Sequence, residues 1–155
     1  MTQEERQLLL RDICMRLPHG VNVYCEWNYL DGERGNDSGI LLDIDLLKDT
    51  ILFKRSSGNC TRIPFNRIDG VVKPYLRPMS SMTEEEYNEY QELYDYEECS
   101  YNQGCEFYDE WKVEINDEER LFKITDWLNA HHFDWHGLIK KGLALETPEG
   151  MYKTN

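Results

Sequence analysis

From Pro78 to Trp111 the chain carries no lysine or arginine. It also lacks an uninterrupted apolar run near the ~18 residues that a bilayer-spanning helix needs. Its first residues, MTQEERQLLLRD, have neither the apolar stretch nor the small-residue cleavage site of a secretory signal. These absences predict a protein that works in the cytoplasm. There are five cysteines, an odd number with no C-x-x-C pair, which argues against a disulfide framework. Cys14 and Cys25 fall on the apolar phase of a predicted helix and strand, where cysteine acts as a small hydrophobe. Cys99 and Cys105, in a polar stretch, are the one pair to test for a bridge. The sequence has no G-x-x-x-x-G-K-[ST], no G-x-G-x-x-G after a strand, no G-x-S-x-G and no H-E-x-x-H. No catalytic residue and no cofactor is expected, and a non-enzymatic protein is the reading.

What is present suits a folded chain. Of 155 residues, 40% are hydrophobic and 12% aromatic, too many for disorder despite a net charge of −13. With no repeat and no linker, residues 1–155 are expected to form one domain of α+β class. Thr2 and Glu5 make a capping box, and Leu9, Ile13 and Leu17 form one apolar stripe until Pro18 and Gly20 end the helix. Val21, Val23, Cys25, Trp27 and Tyr29 alternate with polar residues as a strand. DGERGNDS (31–38) is expected as a polar loop. Ile40, Leu42, Ile44 and Leu46 alternate again, with Asp43 and Asp45 outward.

Further strands are expected at 50–55, 60–65 and 70–78. Pro64, Pro74 and Pro78 restrict the last two to edges or bends. The pattern predicts a small curled antiparallel sheet, or open barrel, of four to six strands. An acidic second helix opens at Thr83. Glu86 completes its capping box, and Met82 with Tyr87 occupies the staple positions. Trp111, Val113 and Ile115 suggest one more strand. Leu121, Ile124 and Leu128 fit a C-terminal helix, although a strand followed by a short helix fits nearly as well. An extended, turn-rich tail follows.

Charge divides the chain unevenly. The lysine- and arginine-free stretch holds Glu84, Glu85, Glu86, Glu89, Glu92, Asp95, Glu97, Glu98, Glu106, Asp109 and Glu110, eleven of the thirty acids. Residues 50–77 hold six basic residues against Asp69 alone. One reading is a solvated acidic helix laid against the chain's own basic strands. The other is a surface interleaved with tyrosines, with Glu89, Tyr90, Glu92, Tyr94 and Asp95 facing the basic surface of a protein partner. Direct nucleic-acid binding by this face is disfavoured, because phosphate contacts need cations. A nucleic-acid mimic would want such a surface.

Two smaller constellations offer alternatives. Lys73, Tyr75 and Arg77, between prolines, could present an aromatic and two cations to an anionic metabolite or nucleotide. His131, His132, Asp134 and His136 combine imidazole and carboxylate and could ligate a divalent ion in a metal-dependent enzyme. The same histidines suit a helix end, where free carbonyls and the dipole favour them.

Three stretches, LLLRDICMRLPHGV (8–21), VKPYLRPMSSMTEEE (72–86) and DWLNAHHFDWHGLIKKGLALETPEGMY (126–152), resemble a family of short proteins encoded by Bacteroides-type gut bacteria, their phages and other mobile elements. That family more often has Tyr-Arg where this chain has Trp135-His136, which counts against His136 as a ligand. It has no established activity, so the resemblance implies no site residue. It implies a bacterial or phage accessory role, one form of which is an inhibitor of a host defence.

Overall fold

A computed structural model describes residues 1–28, 34–65, 71–94 and 118–152. Helix α1 (Gln3–Arg16) starts with the expected capping box: the Glu5 amide donates to Thr2 Oγ1 at 3.1 Å, and the Thr2 amide donates to the Glu5 carboxylate at 2.7 Å. Its buried face runs through Leu9, Asp12, Ile13 and Arg16, the i, i+3, i+4, i+7 spacing of one helical side. Two of those four residues are charged, so hydropathy alone misplaces the face. Cys14, expected inside, is exposed, whereas Cys25 is buried. A 3-10 turn (Leu17–His19) and a left-handed Gly20 end the helix.

Six strands form one open sheet among the described residues: β1 (Asn22–Asn28), β2 (Arg34–Asp45), β3 (Thr50–Arg55), β4 (Cys60–Pro64), β5 (Val71–Leu76) and β6 (Leu145–Glu146). Their order is β4-β3-β2-β1-β5-β6, antiparallel except for the short parallel β5–β6 pair. Pro64 lies on the edge strand β4. Pro74 sits in β5 two residues before Leu76, whose carbonyl accepts from Thr147 on the outer side. Its missing N–H therefore faces that side, just beyond the two-residue pairing with β6.

Two expectations for the sheet need correction. Residues 34–38 belong to β2 and pair with β1, with Gly35 opposite Trp27. A Cβ on Gly35 would lie 2.7 Å from the indole, so the ring covers the backbone of what reads as a loop. In β2 the register shifts between Leu41 and Asp43. Gly39 and Leu41 point inward before this bulge and Ile44 packs on the core after it, while Ile40, Leu42 and Leu46 are exposed. One extra residue reverses the face of everything beyond it.

The inner face carries Val21, Val23, Cys25, Leu41, Ile51, Phe53, Ile63 and Val72. It packs against Leu9 and Ile13 of α1 and against Leu138, Leu143 and Ala144 of the C-terminal turns. A second apolar cluster lies between two further helices, α2 (Glu84–Tyr94) and α3 (Glu118–Ala130). Met79, Met82, Tyr87 and Tyr90 meet Ile124, Leu128 and Phe133 there. Residues 118–130 thus form one helix, the first of the two alternatives. No helix among the described residues is long and apolar enough to cross a membrane. The proposed strand at Trp111–Ile115 and the Cys99–Cys105 pair lie outside the described residues.

Of the described glycines, Gly39 lies closest to a neighbouring backbone: an added Cβ would stand 2.0 Å from the Lys54 carbonyl oxygen. Gly39→Ala must therefore separate β2 from β3 locally. The expected loss is about 2–4 kcal/mol, read as a lower denaturation midpoint in urea.

Candidate binding cleft

The strand that should have presented Lys73, Tyr75 and Arg77 together keeps Lys73 and Tyr75 on one face but parts Arg77 from them. Lys73 lies opposite Tyr24 on the outer sheet face, and the Tyr75 hydroxyl pairs with Ser38 Oγ at 3.1 Å. Arg77 leaves the strand and turns into the helical layer. Its guanidinium donates to both Glu86 oxygens at 2.6 and 2.8 Å and to the Ser81 carbonyl, and it lies 4.3 Å over the Phe133 ring. Burial opposes ionisation of Glu86. Hydrogen bonds from Arg77 and the Thr83 amide outweigh it and keep its pKa below the ordinary value. This forked pair spends the charge of Arg77.

Thr83 and Glu86 form the expected capping box, with the Thr83 amide donating to Glu86 and the Glu86 amide to Thr83 Oγ1. The box fixes the rotation of α2. Tyr87 and Tyr90 then face the core, with Tyr90 only 2% exposed. Tyr90 is consequently no contact residue: with Tyr87, one helical turn earlier, it packs in the cluster that holds Ile124. Glu84, Glu85, Glu89 and Glu92 occupy the exposed face. Glu89 accepts from the Trp127 indole at 3.3 Å, and none of these four carboxylates meets a lysine or arginine among the described residues. Helix α2 is described as far as Tyr94; the Tyr94 side chain and Asp95 lie outside what is described.

The end of α3 was only partly legible in the sequence. The His132 amide donates to the Asn129 carbonyl and the Phe133 amide to Leu128, while Leu128 and Phe133 share the second apolar cluster. This is a Schellman ending, whose pivotal left-handed residue is usually glycine. Here the pivot is His132, at φ +58°. Its ring is 5% exposed and stacks on Tyr152 at 3.7 Å between centroids, and its Nδ1 has no hydrogen-bond partner. Burial, with the nearby Arg16 charge second, lowers its pKa to about 3, so the ring is neutral.

The four proposed metal ligands serve separate ends. His131 stacks on Trp127 and donates from Nδ1 to the Trp127 carbonyl. Asp134 accepts from the Leu138 and Ile139 amides at 2.7 and 2.9 Å, and burial raises its pKa despite those bonds. His136 donates to Asp12 at 2.8 Å. Among the described residues no group of three or more potential ligands stands close enough to hold a metal ion.

One cleft of about 640 Å³ gathers members of all three constellations. Arg77, Thr83, Glu85, Glu86 and Glu89 form one wall, Ala130 with His131 and His132 another, and Met151 with Tyr152 closes the side. Sequence reasoning missed Tyr152. Its hydroxyl accepts from the Asn22 amide at 2.9 Å and donates to the Tyr75 carbonyl at 3.0 Å, bridging the end of the β1–β5 ladder. Burial raises its pKa to about 12. With Arg77 and Glu86 cancelling and the histidine neutral, Glu85 and Glu89 set the sign of the cleft.

No protein-family model, curated protein or solved structure matches this chain.

A neutral buried imidazole makes stability sensitive to mild acid. Unfolded His132 takes up a proton near its ordinary value of 6.5, whereas the folded state resists until about 3. The unfolded state thus binds more protons between those limits, and stability falls as pH drops from about 6.5, by up to about 1.4 kcal/mol per unit. Asp12 and Glu86, with lowered pKa values, add their own loss only below the ordinary carboxylate range. In His132→Asn, whose side chain tolerates the left-handed region, the expected slope between pH 6.5 and 5 is markedly shallower. Urea titrations at stepped pH measure it.

Proposed function

We propose that the protein is a non-enzymatic binding protein that docks on a basic surface of a protein partner through the exposed face of α2. The supporting observation is the exposed row Glu84, Glu85, Glu89 and Glu92, unneutralised among the described residues, beside a capping box that turns the tyrosines inward and an Arg77 already committed to Glu86. A rigid, single-sign helix face of this kind steers association and selects partners by charge. Tyr90 drops out of the contact set, leaving Glu89 and Glu92 at its centre with Glu85 beside the cleft. Among the described residues, the basic strands do not cover these carboxylates.

The resemblance to proteins of gut bacteria and their mobile elements supports an accessory role in the cytoplasm. Inhibition of a host defence is one form of that role. A defence protein that grips nucleic acid has the cationic surface this helix would occupy in place of phosphate.

Glu89→Lys with Glu92→Lys tests the reading without loading cations onto the positive start of the helix. Partner capture from an extract of the encoding organism, quantified against wild type, is expected to fall on the order of tenfold in the variant. A similar fall is expected for wild type on raising salt well above physiological strength. Capture that ignores both changes would exclude docking by this face.

A further inference from the structure

We propose that the outer face of the sheet is a stacking platform for single-stranded nucleic acid, built from Tyr75 and Tyr24 between Lys73 and Lys54. It goes beyond the acidic-face reading and does not depend on it, because α2 contributes no residue to this face. Strand alternation puts the four side chains on the side turned away from the core. Tyr24 stands opposite Lys73 on one neighbour and Ser38 on the other, and Lys54 stands opposite Ile40. The core lies on the inner face, where α1 packs, and Ile40 and Leu42 on the outer one remain 43% and 44% exposed.

The tyrosine hydroxyls decide the posture of the rings. Tyr75 belongs to β5, yet its hydroxyl pairs at 3.1 Å with Ser38 on β2, although β1 runs between those strands. Covering two strand spacings, about 10 Å, forces the side chain to lie down across β1 instead of standing off the sheet. Tyr24 reclines along its own strand, its hydroxyl donating to Glu26 at 2.8 Å. Both tyrosines stay partly exposed, so rings tethered at their tips turn their broad sides to solvent. Lys73 and Lys54 bracket them from β5 and β3, three strand spacings or about 14 Å apart, and neither lysine has an ion-pair partner among the described residues. The nearby acids are engaged within the face, Glu26 by Tyr24 and Asp43 by Arg62 at 2.7 Å. The eleven acids of the lysine-free stretch belong to none of these strands. Flat rings between free cations match a polymer that alternates planar bases with phosphates. An acidic protein segment would meet the lysines and leave the rings unused, and a duplex keeps its bases stacked inside.

The test is fluorescence anisotropy of labelled oligouridylate and oligothymidylate titrated with the full-length protein. A duplex of equal length and inorganic polyphosphate serve as competitors. At least one single strand should bind, about tenfold or more tighter than the duplex or polyphosphate, and the two strands separate ribose from deoxyribose. Two phosphate contacts predict a log–log salt slope of about −1.4. Tyr75→Leu keeps apolar bulk on the strand and removes the ring, and should lower affinity about tenfold. Lys54→Gln with Lys73→Gln changes no core residue, and should both weaken binding and flatten the salt slope. If Tyr75→Leu fails to fold, the lysine variant decides.

Failure of both single strands to bind would overturn the platform. Duplex or polyphosphate binding as tightly as the single strands would do the same, since neither offers an unstacked base. Affinity unchanged in a folded Tyr75→Leu, or in the lysine variant, would place the contact elsewhere and equally overturn it.

Discussion

Arg16 is completely buried, and the fold is arranged around its ion pair, with only Nη1 left without a partner among the described residues. Its guanidinium donates to both oxygens of Asp12, one helical turn back, and to the Phe133 carbonyl at 2.7 Å. Asp12 is equally buried and also accepts from His136. Burial alone would favour a protonated Asp12, but hydrogen bonds from His136 and Arg16 keep its pKa below the ordinary value. A buried ion pair is no guarantee of stability, yet removing one member leaves a stranded charge costing about 3–5 kcal/mol. The pair thereby dictates geometry. Helix α1 must lie where Arg16 reaches the segment leaving α3, which fixes His132 and Asp134 against Arg77. Stretches 8–21, 72–86 and 126–152 converge at this junction, and the cleft opens beside it.

A second forked pair, Arg77 with Glu86, joins the basic strands to the acidic helix. The uneven charge along the chain is therefore partly an internal matter, and only one glutamate of α2 is consumed by it. The others are held outward because Thr83 and Glu86 set the rotation of the helix and Tyr87 and Tyr90 bury its opposite side. The same few residues decide both which tyrosines form core and which carboxylates face solvent.

How much of this the sequence revealed follows from the range of each interaction. Both capping boxes, the staple and the β1 alternation depend on neighbours within a few residues and were legible. The buried stripe of α1 was obscured because Asp12 and Arg16 find their remaining partners more than a hundred positions away. The phase of β2 was lost to a single bulged residue, and Arg34–Ser38 read as loop because only Trp27, across the ladder, makes Gly35 suitable for a strand. Of the candidate sites, the exposed glutamates were visible in charge alone. Tyr90, Arg77 and the histidines each carried an ordinary structural alternative that side-chain spacing could not separate from a functional one. The cleft was out of reach for the same reason: its walls come from three distant stretches.

The phenol of Tyr152 occupies a rung where two strands would otherwise exchange a backbone hydrogen bond. The sheet is consequently knitted at one end by a side chain from the last part of the described chain. During synthesis β1 and β5 can meet as soon as residue 76 has emerged, but their final rung stays open to water until residue 152 arrives. Completion of the cleft wall and closure of that rung are thus one event, which follows the first pairing of the two strands.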